Sequence, residues 1–503
     1  NRQGALISAV YQASDELKVS ADFYHFEGDD KTDSGTALDW TTGVIDTERQ
    51  YIGQDGLDFQ KTQADIGTLK LNLDMTDDIH LENKTRIGST SNDYIISAYD
   101  NRPFFPGGLR AFTGWQENDY LGNQTNLIID KNIKGQRHTI ISGVEYANEK
   151  TQAGNYTVTT DSVTIDPYNT DNASWKGSYS KNAAKTELSL DTVSVYLMDT
   201  VTLNEDWELF GGVRYDYFDY SLWAAERTSR NGTVTPETTY QSSDGFWNGH
   251  LGVVFSPWAR GNVYASWSTA STINGGEADA GTNCGYGGLC TDDEGNYKGA
   301  DPEQSTNLEI GTKWNLMDEQ LLATAAIFRT TKEDVIEGGN DSYASGGSLN
   351  TGENRVEGIE LGLSGNLTPK LSAQFGVAIM DSETLESYDE ANVGKAKANF
   401  ADNSANLQLR YQATSKLAVG GVVTYSSEIY GGQPDAAAYE NIKLPSYRVY
   451  DLFAAYQVNE QLSLRANIQN LTDEDYYTAV YRGGSIVYLG DARSANVTAA
   501  YKF

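Results

Sequence analysis

Along the whole chain, short runs of alternating apolar and polar residues are separated by polar turns. In Leu462-Ser463-Leu464-Arg465-Ala466-Asn467-Ile468-Gln469 the apolar side chains take the even numbers and the polar ones the odd. The final stretch, Ala495-Asn496-Val497-Thr498-Ala499-Ala500-Tyr501-Lys502-Phe503, puts Val497, Ala499, Tyr501 and Phe503 on one face and ends on the aromatic. Successive side chains of a strand point to opposite faces, so each such run has one greasy and one wet side. Repeated without amphipathic helices and closed by a terminal aromatic, the pattern predicts an all-β protein. It is that of an antiparallel transmembrane β-barrel of the bacterial outer membrane, occupying residues 1–503.

Turns set the strand count. Short polar turns fall at Ser14-Asp15-Glu16, Thr76-Asp77-Asp78, Asn132-Ile133-Lys134-Gly135, Asn204-Glu205-Asp206 and Ser256-Pro257-Trp258-Ala259-Arg260. Others fall at Met317-Asp318-Glu319, Thr368-Pro369-Lys370, Ala413-Thr414-Ser415 and Asn459-Glu460. These nine turns predict eighteen flanking strands, and the carboxy-terminal strand makes nineteen. Tyr11, Trp207, Trp258, Trp314, Tyr411 and Tyr456 sit beside turns, where an inner-side aromatic girdle belongs. The intervening connections are long and rich in Gly, Asn, Asp, Ser and Tyr; the longest are read at 27–64, 92–122, 148–187, 220–245 and 271–304. Short turns at one end and long loops at the other are the layout of periplasmic turns and extracellular loops. An odd count is unusual for a closed bacterial barrel, so strands are expected to be missing at the amino end. The start, Asn1-Arg2-Gln3-Gly4, carries no signal-peptide pattern and suits a mature, trimmed or partial chain.

Composition narrows the chemistry. No run approaches the roughly 18 apolar residues of a membrane helix. The net charge of −33, from 37 Lys and Arg against 70 Asp and Glu, argues against nucleic acid as a partner. So much acid is read as solvated loops, with divalent-bridged contact to lipopolysaccharide phosphates as the sharper alternative. The two cysteines, Cys284 and Cys290, bracket a Gly-rich run and read as a disulfide of an oxidising compartment. His25, His80, His138 and His250 are scattered, without metal-ligand spacing. No catalytic elbow or phosphate loop is found, and Asp292-Asp293-Glu294-Gly295-Asn296 lacks the spaced ligands of a calcium loop. No enzyme activity, metal site or cofactor is expected.

Three segments carry a resemblance. They are Asp301-Pro302-Glu303-Gln304-Ser305-Thr306-Asn307-Leu308-Glu309-Ile310-Gly311-Thr312-Lys313-Trp314, then Asn354-Arg355-Val356-Glu357-Gly358-Ile359-Glu360-Leu361, and Leu444-Pro445-Ser446-Tyr447-Arg448-Val449-Tyr450-Asp451 followed by Asn467-Ile468-Gln469-Asn470-Leu471-Thr472-Asp473-Glu474-Asp475-Tyr476-Tyr477. In this order before a terminal Phe, they resemble TonB-dependent outer-membrane receptors, in particular ferric-siderophore receptors. The likeness is good over roughly 300–503 and one of pattern before that. It implies a barrel of about twenty-two strands whose lumen holds an amino-terminal plug. The plug and about three first strands are then absent from these residues. It also implies import of a ferric siderophore, with iron carried inside the ligand, and coupling to the TonB-ExbB-ExbD complex through the plug. The likeness leans towards a catecholate. A receptor for cobalamin, a sugar or another nutrient, and a passive porin-like channel, are the alternatives.

Within that resemblance, Glu309, Lys313, Glu357, Glu360 and Arg465 are expected to face the lumen, where wall-to-plug or wall-to-wall ion pairs are their ordinary role. Asn467, Asn470 and Asp473 are expected to hydrogen-bond the backbone where the strand becomes a loop. Aromatic faces and guanidinium forks suit planar, anionic iron chelates. The ligand-binding candidates are therefore Arg102, Phe104, Phe105, Arg110 and Trp115, with Tyr430, Tyr476, Tyr477, Tyr481 and Arg482. Phe112 lies in the first of these segments. One consideration opposes a strongly anionic ligand: the overall negative field would repel it at long range.

Overall fold

Five of the short turns are built by their own side chains. Ser14, Asn204, Thr368, Thr414 and Asn459 each accept hydrogen bonds from two backbone amides just ahead, fixing the reversal locally. At Lys134-Gly135 both residues have positive φ (54° and 89°), as a two-residue hairpin loop that follows strand twist requires. The computed structural model describes residues 1–39, 44–45, 51–100, 108–160, 166, 168–228, 232, 234–273, 289–291, 297–299, 301–337, 350–432, 437–481 and 486–502.

Hairpin follows hairpin to make one antiparallel sheet of 19 strands. The strands are β1 (Arg2–Gln12), β2 (Leu17–Asp30), β3 (Phe59–Thr76), β4 (Ile79–Asp100), β5 (Gly108–Ile133), β6 (Gln136–Gly154), β7 (Thr186–Thr202), β8 (Trp207–Ala224), β9 (Thr238–Trp258) and β10 (Gly261–Thr272). They continue with β11 (Glu303–Leu316), β12 (Leu321–Val335), β13 (Gly352–Thr368), β14 (Leu371–Glu386), β15 (Asn403–Gln412), β16 (Leu417–Ser426), β17 (Tyr447–Gln457), β18 (Leu462–Gln469) and β19 (Ser494–Tyr501). Each pairs with its sequence neighbours. Strands β1 and β19 pair on one side only, and both are exposed along their whole length. The count of nineteen agrees with the nine turns.

Cross-strand partners share a face, so the registers sort the wall into two surfaces. One is apolar: the rung Ile310, Ile327, Ile359, Ile379 is 46–60% exposed. At the short-turn end the same face carries Trp207, Phe255, Trp258 and Trp314 in a chain of ring contacts 4.2–5.9 Å apart. The other face is polar. Arg214 donates to Asp216 from Nε (2.8 and 3.0 Å), to Glu145 from Nη1 (3.2 Å) and to Ser194 from Nη2 (2.8 Å). Tyr264 donates to Glu309 at 2.6 Å, and Lys313 lies over the Tyr264 ring.

Three expectations change. The stretch 92–122 is not mainly a loop: β4 and β5, 22 and 26 residues long, stay paired up to Asp100 and Gly108. Glu357 is on the apolar face with Ile359, three residues from Glu360 and so on the opposite side of a period-two strand. Trp258 belongs to β9, reached through a register shift after Phe255, not to the turn.

At the end away from the short turns, the connections make structure of their own. Thr36–Asp39, between β2 and β3, pairs with Ile486–Leu489, between β18 and β19, through Thr36↔Val487 and Ala37↔Ile486. Ile486–Leu489 also pairs with Tyr477–Val480. Loops at the two ends of the chain thus share one small sheet. Beneath it lies a core of Leu38, Ile429, Ile442, Leu444, Tyr477, Val480 and Val487, each at most 8% exposed.

Candidate functional site: the loop-end mouth of the wall

Parity places the residues at the mouth. With Leu121 and Ile87 paired on the apolar face and no register break in β5, the even-numbered Arg110 and Phe112 lie on the polar face. Arg110 sets its guanidinium 4.4 Å above the Phe112 ring. The Tyr481 ring approaches Phe112 from the last connection, with centroids 6.3 Å apart and planes at 60°. Tyr481 is fixed from below: its N–H donates to Ile486 O (2.8 Å). Next to it, Asn399 donates to Val480 O (3.0 Å) and accepts from Val480 N (2.9 Å). A cation, a phenyl and a phenol therefore meet at one point on the polar face. That arrangement stacks and hydrogen-bonds planar anionic groups.

Four further candidates lie elsewhere. Trp115 is odd-numbered and on the other side of β5. It is 6% exposed, donates from Nε1 to Asn182 O (3.2 Å) and is capped by Lys181 at 4.4 Å. Tyr430 lies under Lys443, which pairs with Glu428 at 2.6 Å. Tyr476 packs against Tyr447 with centroids 4.7 Å apart and planes tilted by 42°, and covers Gly490, where a Cβ would fall 2.0 Å from its ring. Tyr477 is a member of the loop core. Arg102, Phe104, Phe105 and Arg482 lie outside the described residues, as do Cys284 and the acidic run 292–296.

Two features here have no sequence signal, because their partners are far apart in the chain. Gln54, fully buried, donates to Ile52 O (3.0 Å) and accepts from Ser174 Oγ (3.2 Å) and Trp175 N (3.0 Å), locking the first connection to the third. Asp58 accepts from Gln54 N, Ser97 N and Ser97 Oγ. Burial pushes its carboxyl up, against the pull of those hydrogen bonds. The second feature is the hairpin Tyr156–Thr160 with Gly177–Lys181. Lys181 pairs with Asp93 (3.1 Å) and Glu117 (3.0 Å), and Tyr156 donates to Asp93 (2.7 Å). Burial, then the bond to Asp93, raises the Tyr156 phenol. Burial alone would lower Lys181, but Glu117 and Asp93 outweigh it and the net shift is upward.

At the carboxy-terminal motif, Asn470 does bridge backbone: Nδ2 donates to Glu474 O (2.9 Å) and Asp491 O (3.0 Å), and Oδ1 accepts from Glu474 N (2.8 Å). Asp473 accepts from Arg493 N (3.1 Å), whereas Asn467 bonds the Asn496 side chain within the ladder. Three histidines each pair with one aspartate at 2.7–2.8 Å: His25 with Asp65, His80 with Asp74, His138 with Asp199. Among the described residues no three His, Cys, Asp or Glu side chains gather where a metal ion could be held.

Residues 9–471 match the family model "TonB dependent receptor-like, beta-barrel". The chain belongs to this family. The TonB-dependent receptor barrels are outer-membrane proteins, and the exposed apolar face is the one suited to lipid. They are receptors, not enzymes. Among curated relatives, "Probable TonB-dependent siderophore receptor PiuA" of Acinetobacter baumannii is 29% identical over 542 aligned positions, covering 100% of this chain and 70% of that protein. "Catecholate siderophore receptor Fiu" of Escherichia coli (strain K12) is 29% identical, covering 93% of this chain and 63% of that one. The chain thus spans less than two thirds of Fiu. The crystal structure of the siderophore receptor PiuA superposes with a TM-score of 0.85 at 26% identity, over 99% of this chain and 73% of that one. The closed form of the ferric-catecholate import receptor Fiu shares the fold, with a TM-score of 0.84 at 24% identity.

Proposed function

We propose that residues 1–503 form the wall and extracellular loops of an outer-membrane receptor that imports a ferric siderophore, of the catecholate class. The observation that carries the reading is the meeting of Arg110, Phe112 and Tyr481 at the lumenal mouth. Catechol rings of an iron chelate would lie against the two aromatic faces, with the anionic oxygens towards Arg110. Arg102, Phe104, Phe105 and Arg482 adjoin these residues in sequence and extend the same surface in this proposal. Trp115, Tyr430, Tyr476 and Tyr477 act one layer back, holding strands and loops in place. Local cationic charge resolves the opposition of the overall negative field.

The unpaired edges of β1 and β19 suit a wall completed by further strands, about twenty-two in all, around a plug that TonB-ExbB-ExbD would rearrange. Iron enters within its ligand, not as a cofactor. Cys284 and Cys290 are proposed to be disulfide-bonded, stiffening one loop and reducing the entropy lost on capture.

Fluorescence quenching of the purified receptor by a ferric catecholate tests the site. Wild type is expected to bind, and Arg110→Ala to lose about tenfold or more in affinity, the scale of one charge-assisted contact. Equal binding by the variant, or binding of cobalamin but no iron chelate, would overturn the proposal.

A further inference from the structure

The polar face of β3–β5 divides by charge. From Arg110 and Phe112 towards the short turns, its even-numbered positions 60–68 on β3, 88–98 on β4 and 112–126 on β5 lie side by side in register. None of them is charged, in a chain of which 21% is charged. Their side chains bond one another: Gln60 donates to Asn92 (3.3 Å), Gln116 to Asn118 (2.9 Å) and Asn118 to Thr90 (3.1 Å). Both flanks are acidic, with Asp22 and Asp30 on the polar face of β2 and Glu145 and Glu149 on that of β6. An uncharged, hydrogen-bonding strip therefore leads down from the mouth between two acidic borders.

The strip ends in cations. Lys70 of β3 and Lys84 of β4 are directly opposite each other, which destabilises a sheet unless something offsets it. Glu82 offsets Lys70 at 3.3 Å. Lys84 makes no ion pair among the described residues. Arg86, next on the same face, donates from Nε to Thr68 (3.2 Å) and has no carboxylate partner among them. Both are exposed. The nearby acids are engaged or set apart: Asp74 is bonded to His80 (2.7 Å), Glu145 accepts from Arg214 (3.2 Å), and Asp22 is a whole strand away, across Thr68. With Lys18 on β2, this end of β2–β4 stays cationic in a chain of net charge −33. Arg110 pairs with Ala98, and Ala98 is about 40 Å of strand from Arg86.

We propose that this strip is the path along which an anionic chelate leaves the mouth, and that Lys84 and Arg86 form a second anion site at its far end. The inference rests on the reading of this protein as an importer of such a chelate. The acidic borders repel the ligand sideways and confine it to β3–β5. Neutral amides and hydroxyls already bonded to one another hold it weakly, which is what passing a ligand onward requires. Lys84 and Arg86 then receive it, and the anion offsets the repulsion between Lys70 and Lys84.

Two readouts on the full-length receptor test this: ferric-catecholate capture by fluorescence quenching, and uptake of the radiolabelled chelate by cells with no other route for it. Lys84→Gln with Arg86→Gln should leave capture unchanged and reduce uptake about tenfold, the scale of one charge-assisted contact. Lys84→Arg with Arg86→Lys, which keeps the charge, should retain uptake. Asn92→Asp adds one charge to the strip without changing its shape, and should also reduce uptake. Its distance from Arg110, about 20 Å of strand, exceeds the screening length of about 8 Å, so capture should hold. Wild type that captures no ferric catecholate refutes the importer reading itself. Full uptake by the glutamine pair or by Asn92→Asp, with capture intact, overturns the path alone. A fall in capture equal to the fall in uptake overturns it too. So does a glutamine pair that makes cells permeable to a bulky antibiotic without TonB, since the cations would then be holding a lumenal segment of protein in place.

Discussion

Leu444 touches no proposed ligand, yet its truncation should weaken capture. Its surface is fully covered by the loop core, against residues that include Val480 and Val487 on either side of Tyr481. Leu→Ala at such a site costs about 2–5 kcal/mol. Taking ~3 kcal/mol, the opening equilibrium of the loop sheet rises about 150-fold. The loss should stay local, because the sheet of Thr36–Asp39, Tyr477–Val480 and Ile486–Leu489 is separate from the wall ladder and opens as its own unit. Hydrogen exchange read by mass spectrometry checks this directly. Amides of 477–481 and 486–489 should lose protection in Leu444→Ala, while those of β5 and β6 keep theirs. Ferric-chelate affinity should fall about tenfold, up to the whole share of Tyr481. Unchanged protection at 477–489 refutes the claim that this core holds Tyr481. Loss spread evenly into β5 and β6 refutes the claim that the loop sheet is independent.

Three further outcomes are expected. Asn470→Ala strands buried backbone groups at about 1–3 kcal/mol and places alanine at φ 46°, so the melting temperature should fall; an unchanged value would show that water replaces the amide. The hairpin at 156–181 should loosen in alkali. Tyr156 and Lys181, ordinarily titrating at 10.0 and 10.5, are both held higher when folded, so their stabilisation is intact below those values and lost as pH rises through the raised ones. Hydrogen exchange above about pH 10 should show the loss first in this hairpin; a simultaneous loss everywhere would deny its local origin. Alkylation of the unfolded, unreduced chain should add no mass at Cys284 or Cys290, with uptake only after reduction; alkylation without reductant would remove the proposed disulfide.

The wall was legible because its determinants are local. Turn chemistry at Ser14, Asn204, Thr368, Thr414 and Asn459 acts within two or three residues, and period-two alternation needs no knowledge of the partner strand. The girdle residues were readable for the same reason. Legibility failed above the bilayer, where neither face needs to be greasy. There β4 and β5 continue as paired strands through residues whose alternation has dissolved, so the segment read as loop. Glu357 was misplaced by grouping it with Glu360 as one motif; parity alone separates them. For the site, aromatic and cationic residues were visible as types, but which of them meet was not. Trp115 and Arg110 look equivalent in the chain and fall on opposite faces of one strand. The contact of Phe112 with Tyr481 joins β5 to the last connection, and nothing local announces it.

That contact bears on how capture is organised. Every wall pairing joins sequence neighbours, so the wall is a series of hairpins, each supported by the next. The loop sheet is the exception: Thr36↔Val487 ties the first connection to the last, while β1 and β19 do not pair with each other. The two ends of the sheet are therefore held in proximity by their loops. Tyr481 sits on that tie and Phe112 on the wall, so the proposed ligand would bridge an element that can open alone and one that cannot. Part of its binding free energy goes into holding the two together. A mutation that loosens the tie should therefore act mainly through faster ligand loss, with association little changed, because the Arg110 and Phe112 half of the site remains on β5 to meet the incoming chelate. Stopped-flow association and dissociation measured on Leu444→Ala would separate the two, and a slowed association with unaltered dissociation would place the ordering step before capture.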